Sequence, residues 1–116
     1  MKSAIEVVRH HSSVMRSQDI NIILDDFSSD AIVITNLLEE PVVGHDDIKK
    51  LIDAEVHKRN EKKDVPHSEI LLQKDYGSYV LHVFKNEQRN ILGIETFVVE
   101  NEKIIFESSY ITKLNK

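Results

Sequence analysis

Residues 26–35 read DFSSDAIVIT, and residues 44–52, beyond a loop with Pro41, read GHDDIKKLI. The β-branched run from Ala31 to Thr35 predicts a short strand. Gly44 precedes apolar residues at helical spacing, which predicts a helix that starts there. Because two long hairpins follow, this order predicts a curved sheet wrapped around helices, a shape that encloses a pocket.

Two helices are predicted before this segment. Residues 3–17 carry apolar side chains at intervals of three and four, with Ser3 as the N-cap and Glu6 completing a capping box. Asp19 is predicted to cap a second, shorter helix that extends to Phe27. These helices would supply the layer that packs on the sheet.

The second half of the chain predicts strands only. The predicted strands are residues 68–74, 78–85, 91–100 and 103–113, with turns near Gly77 and at Asn101-Glu102. Three N-terminal helices, one early strand and four sequential antiparallel strands make an α+β fold. A length of 116 residues fits one domain, residues 1–116.

Composition excludes several function classes. The net charge of −5 argues against a nucleic-acid partner, and acidic residues interrupt the basic run from Lys58 to Asp64, which we interpret as a solvated helix end. The chain has no cysteine, and its six histidines form no recognised metal-ligand spacing, so we expect no metal and no cofactor. No apolar run approaches the ~20 residues of a membrane span. Since residues 1–6 also lack the apolar stretch of a secretory signal, we expect a cytoplasmic protein without membrane contact.

Four stretches carry a family resemblance: Gln18-Asp19, the helix-to-strand step Phe27–Val33, Gly44–Ile48, and the hairpin Thr96–Ile104. Through them the chain resembles the SnoaL-like branch of the nuclear transport factor 2-like superfamily, which includes ketosteroid isomerases. The resemblance covers nearly the whole chain. It implies a conical, cystatin-like fold, a pocket between helices and sheet, and frequent dimers. It implies no single activity, because members include isomerases, hydrolases, cyclases, non-catalytic binders and scaffolding subunits.

Strand periodicity sorts the side chains of the last hairpin. A turn at Asn101-Glu102 would place Phe97 opposite Phe106. One face would then carry Glu95, Phe97, Val99, Phe106, Ser108 and Tyr110. We predict that this face lines the pocket, although a slip of one residue in register would reverse the assignment. The predicted ligand-binding side chains are Phe27, Thr35, His82, Phe97, Phe106, Ser108 and Tyr110.

Glu95 and His11 are the predicted catalytic residues. A carboxyl among aromatic side chains loses solvation, so the pKa of Glu95 should rise and allow acid–base chemistry. The alternative is a solvent-facing Glu95. His11 lies in the apolar stripe of the first helix, where we expect it to be buried and hydrogen-bonded; the alternative to catalysis is a structural core histidine.

Two further positions qualify this hypothesis. The resemblance places an aspartate base of the isomerases at the position of Thr35, and a threonine hydroxyl cannot abstract a proton near neutral pH. His82 alternates with Val80 and Phe84, and the sequence leaves open whether it faces the pocket or the outer surface.

The predicted function is therefore the binding of a small organic ligand in an apolar pocket, with cofactor-free acid–base chemistry of isomerase or hydrolase type. The alternative is a non-catalytic binding or protein-association module. A homodimer through the opposite sheet face is also predicted, because that face is too apolar to remain in water. This face would carry Leu92, Ile94, Thr96, Val98 and Ile105.

Overall fold

The computed structural model describes residues 2–15, 17, 19–62 and 68–114, and for residues 57–62 it describes the backbone alone. The helices are α1 (Ala4–Val14), α2 (Ile20–Asp25) and α3 (Gly44–Lys62). Both predicted N-caps are confirmed: Ser3 forms the full capping box with Glu6, and Asp19 accepts hydrogen bonds from the first turn of α2. The side chains of the charged run from residue 58 to residue 64 lie outside the described residues.

The strands form one six-stranded sheet in the order β2-β1-β6-β5-β4-β3. Their bounds are Phe27–Thr35 (β1), Val42–Val43 (β2), Glu69–Tyr76 (β3), Tyr79–Asn86 (β4), Ile91–Glu100 (β5) and Lys103–Lys113 (β6). Only the pairing of β1 with β6 is parallel among these described strands. The predicted α+β architecture, three helices on a mostly antiparallel sheet, is confirmed.

Two predicted boundaries around β1 are wrong. Phe27 begins β1 and does not belong to α2, because Asp26 is the C-cap of that helix. The predicted loop before Gly44 contains the two residues of β2, which pair with Ile32 and Val33. Both errors arise where an apolar residue near a boundary suits either element.

The hairpin between β5 and β6 turns at the predicted residues but has an unpredicted bulge. Asn101 and Glu102 have φ values of 52° and 63°, as a two-residue type I′ turn requires, and Glu100 pairs with Lys103. The register then shifts, so that Val99 pairs with Ile104 but Val98 pairs with Phe106. One extra residue in β6 reverses the face of every residue that follows it.

The bulge corrects the predicted pocket face of β6. Phe106, Ser108 and Tyr110 lie on the convex face of the sheet, and Glu107 and Ser109 lie on the concave face. The predicted face of β5 is right, since Phe97 and Val99 are buried under the helices. The core between helices and sheet is apolar. Its most buried large side chains are Val7, Val8, Ile23, Ile48, Val80, Phe97 and Ile104.

Candidate functional site

A cavity of about 460 Å³ lies between the helices and the concave face of the sheet. This volume is within the range of small-molecule sites, about 300–1,000 Å³. Most of the lining is apolar, with side chains from α1, α3 and five of the six strands. The polar side chains that line it are His11, Ser12, Thr35, Glu55, Ser68, His82, Asn86, Arg89, Glu95, Glu107 and Ser109. A cavity whose surface is mostly apolar and into which polar groups converge is the usual form of a ligand-binding site.

Glu95 and Glu107 form a carboxyl pair in this cavity. Glu107 pairs with Phe97 across the ladder and Glu95 with Ser109, so the two carboxyls are diagonal neighbours on one face. Burial raises the pKa of Glu95 to about 7, although hydrogen bonds from Glu107 and Ser109 favour its ionised form. Burial and the nearby Glu95 raise the pKa of Glu107 well above its usual range. Near pH 7 Glu107 therefore keeps its proton and donates to Glu95, which can gain or lose one.

The sequence leaves open whether His82 faces the pocket or the outer surface of the sheet. In the structure it faces the cavity. Arg9 Nε donates to Gln73 Oε1 at 3.2 Å, so the Gln73 amide nitrogen donates to His82 Nδ1 at 3.1 Å. Burial lowers the pKa of His82, which keeps the ring neutral. A neutral ring that accepts at Nδ1 carries its proton on Nε2, and this nitrogen lies 4.0 Å from Glu95 Oε1. The surface pair of Arg9 and Gln73 thus directs a donor at the carboxyl pair.

His11 is buried in the cavity wall, as predicted. Its ring packs edge-on against Phe27 and Phe97, with centroid distances of 5.2 and 5.7 Å. The sequence also predicts a hydrogen bond to the His11 ring, and for Nδ1 this is wrong. That nitrogen is buried and has no partner among the residues that the structure describes. Burial, with smaller contributions from His82 and His10, lowers the pKa of His11 to about 4. The ring is therefore neutral at physiological pH, and its catalytic role stays a prediction.

The remaining predicted site residues divide by position. Phe27, Thr35 and His82 line the cavity, whereas Phe97 lies in the wall behind it, in contact with the His82 ring. Thr35 Oγ1 accepts a hydrogen bond from Leu37 N at 3.2 Å, which ends β1 at the cavity. Phe106, Ser108 and Tyr110 were expected as ligand contacts, but they do not line the cavity because they lie across the sheet from it.

Several lining residues were missed from the sequence, and three of them bear directly on the chemistry of the site. Glu107 and Ser109 face inward only because of the bulge, which strand alternation did not predict. Arg89 lies in the short turn between β4 and β5, where no strand or helix pattern points to the cavity. A β-branched strand with one internal glutamate, such as Ile104–Thr112, could have identified Glu107 as a candidate for a buried carboxyl.

The entrance of the cavity is marked by its exposed lining residues. Leu37 and Ile70 are 60% and 46% exposed, and the partly exposed Glu55 and Arg89 line the cavity with them. Glu107 and His82, by contrast, are buried at the inner end. The cavity therefore has an apolar entrance with one side chain of each charge, and a polar inner end.

Within the described part of the chain, no cluster of histidine, aspartate and glutamate side chains has the arrangement of a metal site. None of the described helices is long and apolar enough to cross a membrane.

Comparison with known proteins supports the fold. No family model matches the sequence, and no curated protein matches it. Among solved structures, a SnoaL-like protein of unknown function from Burkholderia thailandensis matches with a TM-score of 0.79 and 10% identity, over 94% of this chain and 93% of that one. A nuclear transport factor 2-like protein of unknown function from Burkholderia xenovorans LB400 matches with a TM-score of 0.71 and 17% identity, over 95% and 84%. A steroid delta-isomerase from Pseudomonas aeruginosa matches with a TM-score of 0.72 and 12% identity, over 96% and 80%.

Proposed function

We propose that this chain, which has the nuclear transport factor 2-like fold, is a cofactor-free acid–base enzyme that acts on a small organic substrate in its apolar cavity. The observation that carries the proposal is the pair of Glu95 and Glu107. Two carboxyls that share a buried site are held in different protonation states, which is the arrangement that acid–base catalysis requires. The apolar lining would hold the body of the substrate and exclude water from the pair.

Each group has a distinct task in this proposal. Glu95 is the base, because a group with a pKa of about 7 is ionised often enough near neutral pH to accept a proton and basic enough to hold it. Glu107 donates a hydrogen bond to Glu95 and stabilises its charge, and the Nε2–H of His82 lies 4.0 Å from Glu95 Oε1, where its dipole favours the same charge. In an isomerisation, Glu95 would take a proton from the carbon beside a carbonyl and return it to another carbon. In a hydrolysis, Glu95 would take a proton from the water that attacks carbon, while Glu107 gives its proton to the oxygen released as the C–O bond breaks.

Thr35 limits the substrates that the proposal includes. It occupies the strand position at which the resemblance to ketosteroid isomerases implies an aspartate base, and its hydroxyl is held by the backbone of Leu37. The proposed base is therefore on β5 rather than on β1, and the proposal does not extend to steroid isomerisation.

Two simple probes test the proposal. We would follow the conversion of 3-cyclohexenone to 2-cyclohexenone by absorbance, and the incorporation of ¹⁸O-labelled water into cyclohexene oxide by mass spectrometry. Glu95→Gln and Glu107→Gln should each lower the rate of an accelerated reaction by at least about 100-fold, the usual contribution of a positioned acid or base. The matched control is Glu100→Gln, which changes an exposed carboxyl on the same strand. Equal rates for all four proteins would contradict the proposal.

The second candidate function is non-catalytic binding, and the absence of a carboxylate at Thr35 favours it. A binding module should take up cyclohexanone-sized ligands with no turnover of either probe. Saturable binding that Glu95→Gln leaves intact, together with no reaction in the wild type, would support this alternative.

We also propose that the convex sheet face pairs two copies of the chain. Ile94 and Tyr110 are cross-strand neighbours there and are 49% and 56% exposed. Ile34 and Tyr79 add to the exposed apolar surface of the same sheet. Such a surface commonly marks an interface, because leaving it in water is unfavourable.

A further inference from the structure

Arg89 is the only arginine or lysine side chain that lines the cavity among the described residues. It is partly buried, and no carboxylate of the described residues lies within ion-pair distance of its guanidinium. Lys85, which lies close by in sequence, is by contrast paired with Glu69 and Glu87, each at 3.2 Å. A guanidinium at the rim of an apolar cavity thus has free donors for an anion.

The turn that carries Arg89 is held firmly. The buried Asn86 accepts a hydrogen bond from Arg89 N at 3.0 Å through its side-chain oxygen. Asn90, with a φ of 56°, closes the turn by donating to Glu87 O at 3.2 Å, and its carbonyl accepts from Leu114 N at 3.1 Å. The backbone of Arg89 is therefore fixed before a ligand arrives, which reduces the ordering cost of binding.

The separation of Arg89 and Glu95 along the sheet gives the length of ligand that the cavity can hold. Arg89 lies two residues before Ile91, the first residue of β5, and Glu95 lies four residues beyond Ile91. At ~3.3 Å per residue, the strand from Ile91 to Glu95 spans about 13 Å. The wall along this part of β5 is apolar, because Ile91 lines the cavity and Gly93 has no side chain. A ligand that fills this space therefore needs a charged end, an apolar middle and a reactive far end.

We propose that Arg89 recognises the carboxylate of amphipathic organic acids, with the apolar body of the acid directed inward to Glu95 and Glu107. The inference rests on the proposed function for what happens at the inner end, but binding at Arg89 does not depend on catalysis. A guanidinium binds a carboxylate through two parallel hydrogen bonds, so it also fixes the direction in which the acid enters. Glu55, the acidic side chain at the entrance, would repel such an acid and weaken its binding.

The test uses decanoate and decan-1-ol as probes, which share the apolar chain and differ in charge. Calorimetric titration of the wild type should show tighter binding of decanoate. Arg89→Ala should weaken decanoate binding by roughly tenfold to a hundredfold and leave decan-1-ol unchanged, since a hydrogen bond to a charged group contributes about 1.5–3 kcal/mol. Arg89→Lys should recover part of the loss, and Glu55→Gln should tighten decanoate binding. The matched control is Lys49→Ala, which removes an exposed cation of α3 that does not line the cavity.

Two results would overturn the inference: equal affinity of the wild type for the two probes, or an Arg89→Ala variant that binds decanoate as the Lys49→Ala variant does. The first comparison needs no variant, so it holds even if Arg89→Ala folds poorly. Failure of the proposed function is a separate result. In that case Glu95→Gln and Glu107→Gln would change no reaction rate, whereas the dependence of decanoate binding on Arg89 would remain.

Discussion

Glu95 and Glu107 lie diagonally across the β5–β6 ladder and share a proton inside the cavity. Their positions follow from one bulge, whose single extra residue shifts the register of β6 by one and so turns Glu107 inward. Two carboxyls in one buried site cannot both ionise near neutral pH without a large electrostatic cost. Their burial is therefore a stability cost above pH 7, and the cost is measurable without knowing the substrate.

Glu95→Gln should make the protein more stable at alkaline pH. The folded pKa of about 7 is above the unfolded value of 4.5, so the protonated carboxyl favours folding below pH 4.5, and that stability is lost as the pH rises through 7. A shift of this size corresponds to on the order of 3 kcal/mol. Urea unfolding at pH 5 and pH 8.5 should show the wild type losing stability relative to Glu95→Gln. Glu100→Gln, an exposed change on the same strand, should follow the wild type, and parallel profiles for all three would contradict the raised pKa.

The β5–β6 hairpin shows what sequence patterns could and could not predict. Strand bounds, the turn at Asn101-Glu102 and the inward face of β5 follow from period-two alternation and turn chemistry. The bulge could not be predicted, because Ile104-Ile105-Phe106 is apolar throughout and fits either register. The sequence therefore correctly placed Glu95 in the cavity and gave it the wrong neighbours, aromatic side chains in place of Glu107 and Ser109.

Part of the site depends on contacts between segments that are distant in sequence, and the residue pattern of a single strand does not reveal such contacts. The orientation of His82 depends on Gln73, which depends on Arg9 in the first helix. Helix periodicity could bury His11 but could not show that its Nδ1 lacks a hydrogen-bond partner among the described residues. In the sequence, Arg89 is one polar residue in a polar turn, and only the folded sheet brings that turn to the cavity.

His11→Leu should protect the fold in acid. Because the folded pKa of His11 is about 4 and the unfolded value is 6.5, its contribution to stability is full above pH 6.5 and is lost as the pH falls through 4. The loss is on the order of 3 kcal/mol. Leucine fills similar space without a titrating group, so Tm should fall less between pH 7 and pH 4.5 than in the wild type. His11→Ala, which leaves a cavity, should be destabilised at both pH values. A wild-type Tm that falls no more than that of His11→Leu would exclude a depressed pKa.

Gln73→Glu should change the tautomer of His82. A carboxylate at this position can only accept, so it would draw a proton to Nδ1 and remove the preference for Nε2–H. The ¹⁵N chemical shifts of the ring report the protonated nitrogen directly. We expect Nε2–H in the wild type at pH 8 and a protonated Nδ1 in Gln73→Glu. Lys74→Glu, an exposed change next to it on β3, should leave the shifts unchanged. A wild-type ring protonated on Nδ1 at pH 8 would refute the hydrogen-bond order from Arg9 to His82.

Gly93→Ala should disturb the cavity wall through Phe84. The two residues pair across β4 and β5, and a Cβ at Gly93 would overlap the Phe84 ring. The ring lines the cavity, so it must move, at a cost of about 1–3 kcal/mol for overpacking. The double variant Gly93→Ala/Phe84→Leu should recover much of that loss in urea unfolding, because the shorter side chain leaves room for the methyl group. If the two substitutions have additive effects on the free energy of unfolding, the Phe84 ring does not lie over Gly93.

Ile94→Lys should convert the proposed dimer into a monomer. Ile94 lies opposite Tyr110 near the middle of the convex face, and in a dimer its side chain would be enclosed by the second copy. A lysine there would have to leave water without a partner charge, which costs far more than the lost apolar contact. Sedimentation velocity at tens of micromolar should therefore show a dimer for the wild type and a monomer for the variant. The matched control is Ile22→Lys, which places the same charge at a similarly exposed position, 45% against 49%, on α2 at the opposite layer of the fold. A wild type that sediments as a monomer at this concentration would contradict the proposed interface, and so would a dimer that both substitutions leave intact.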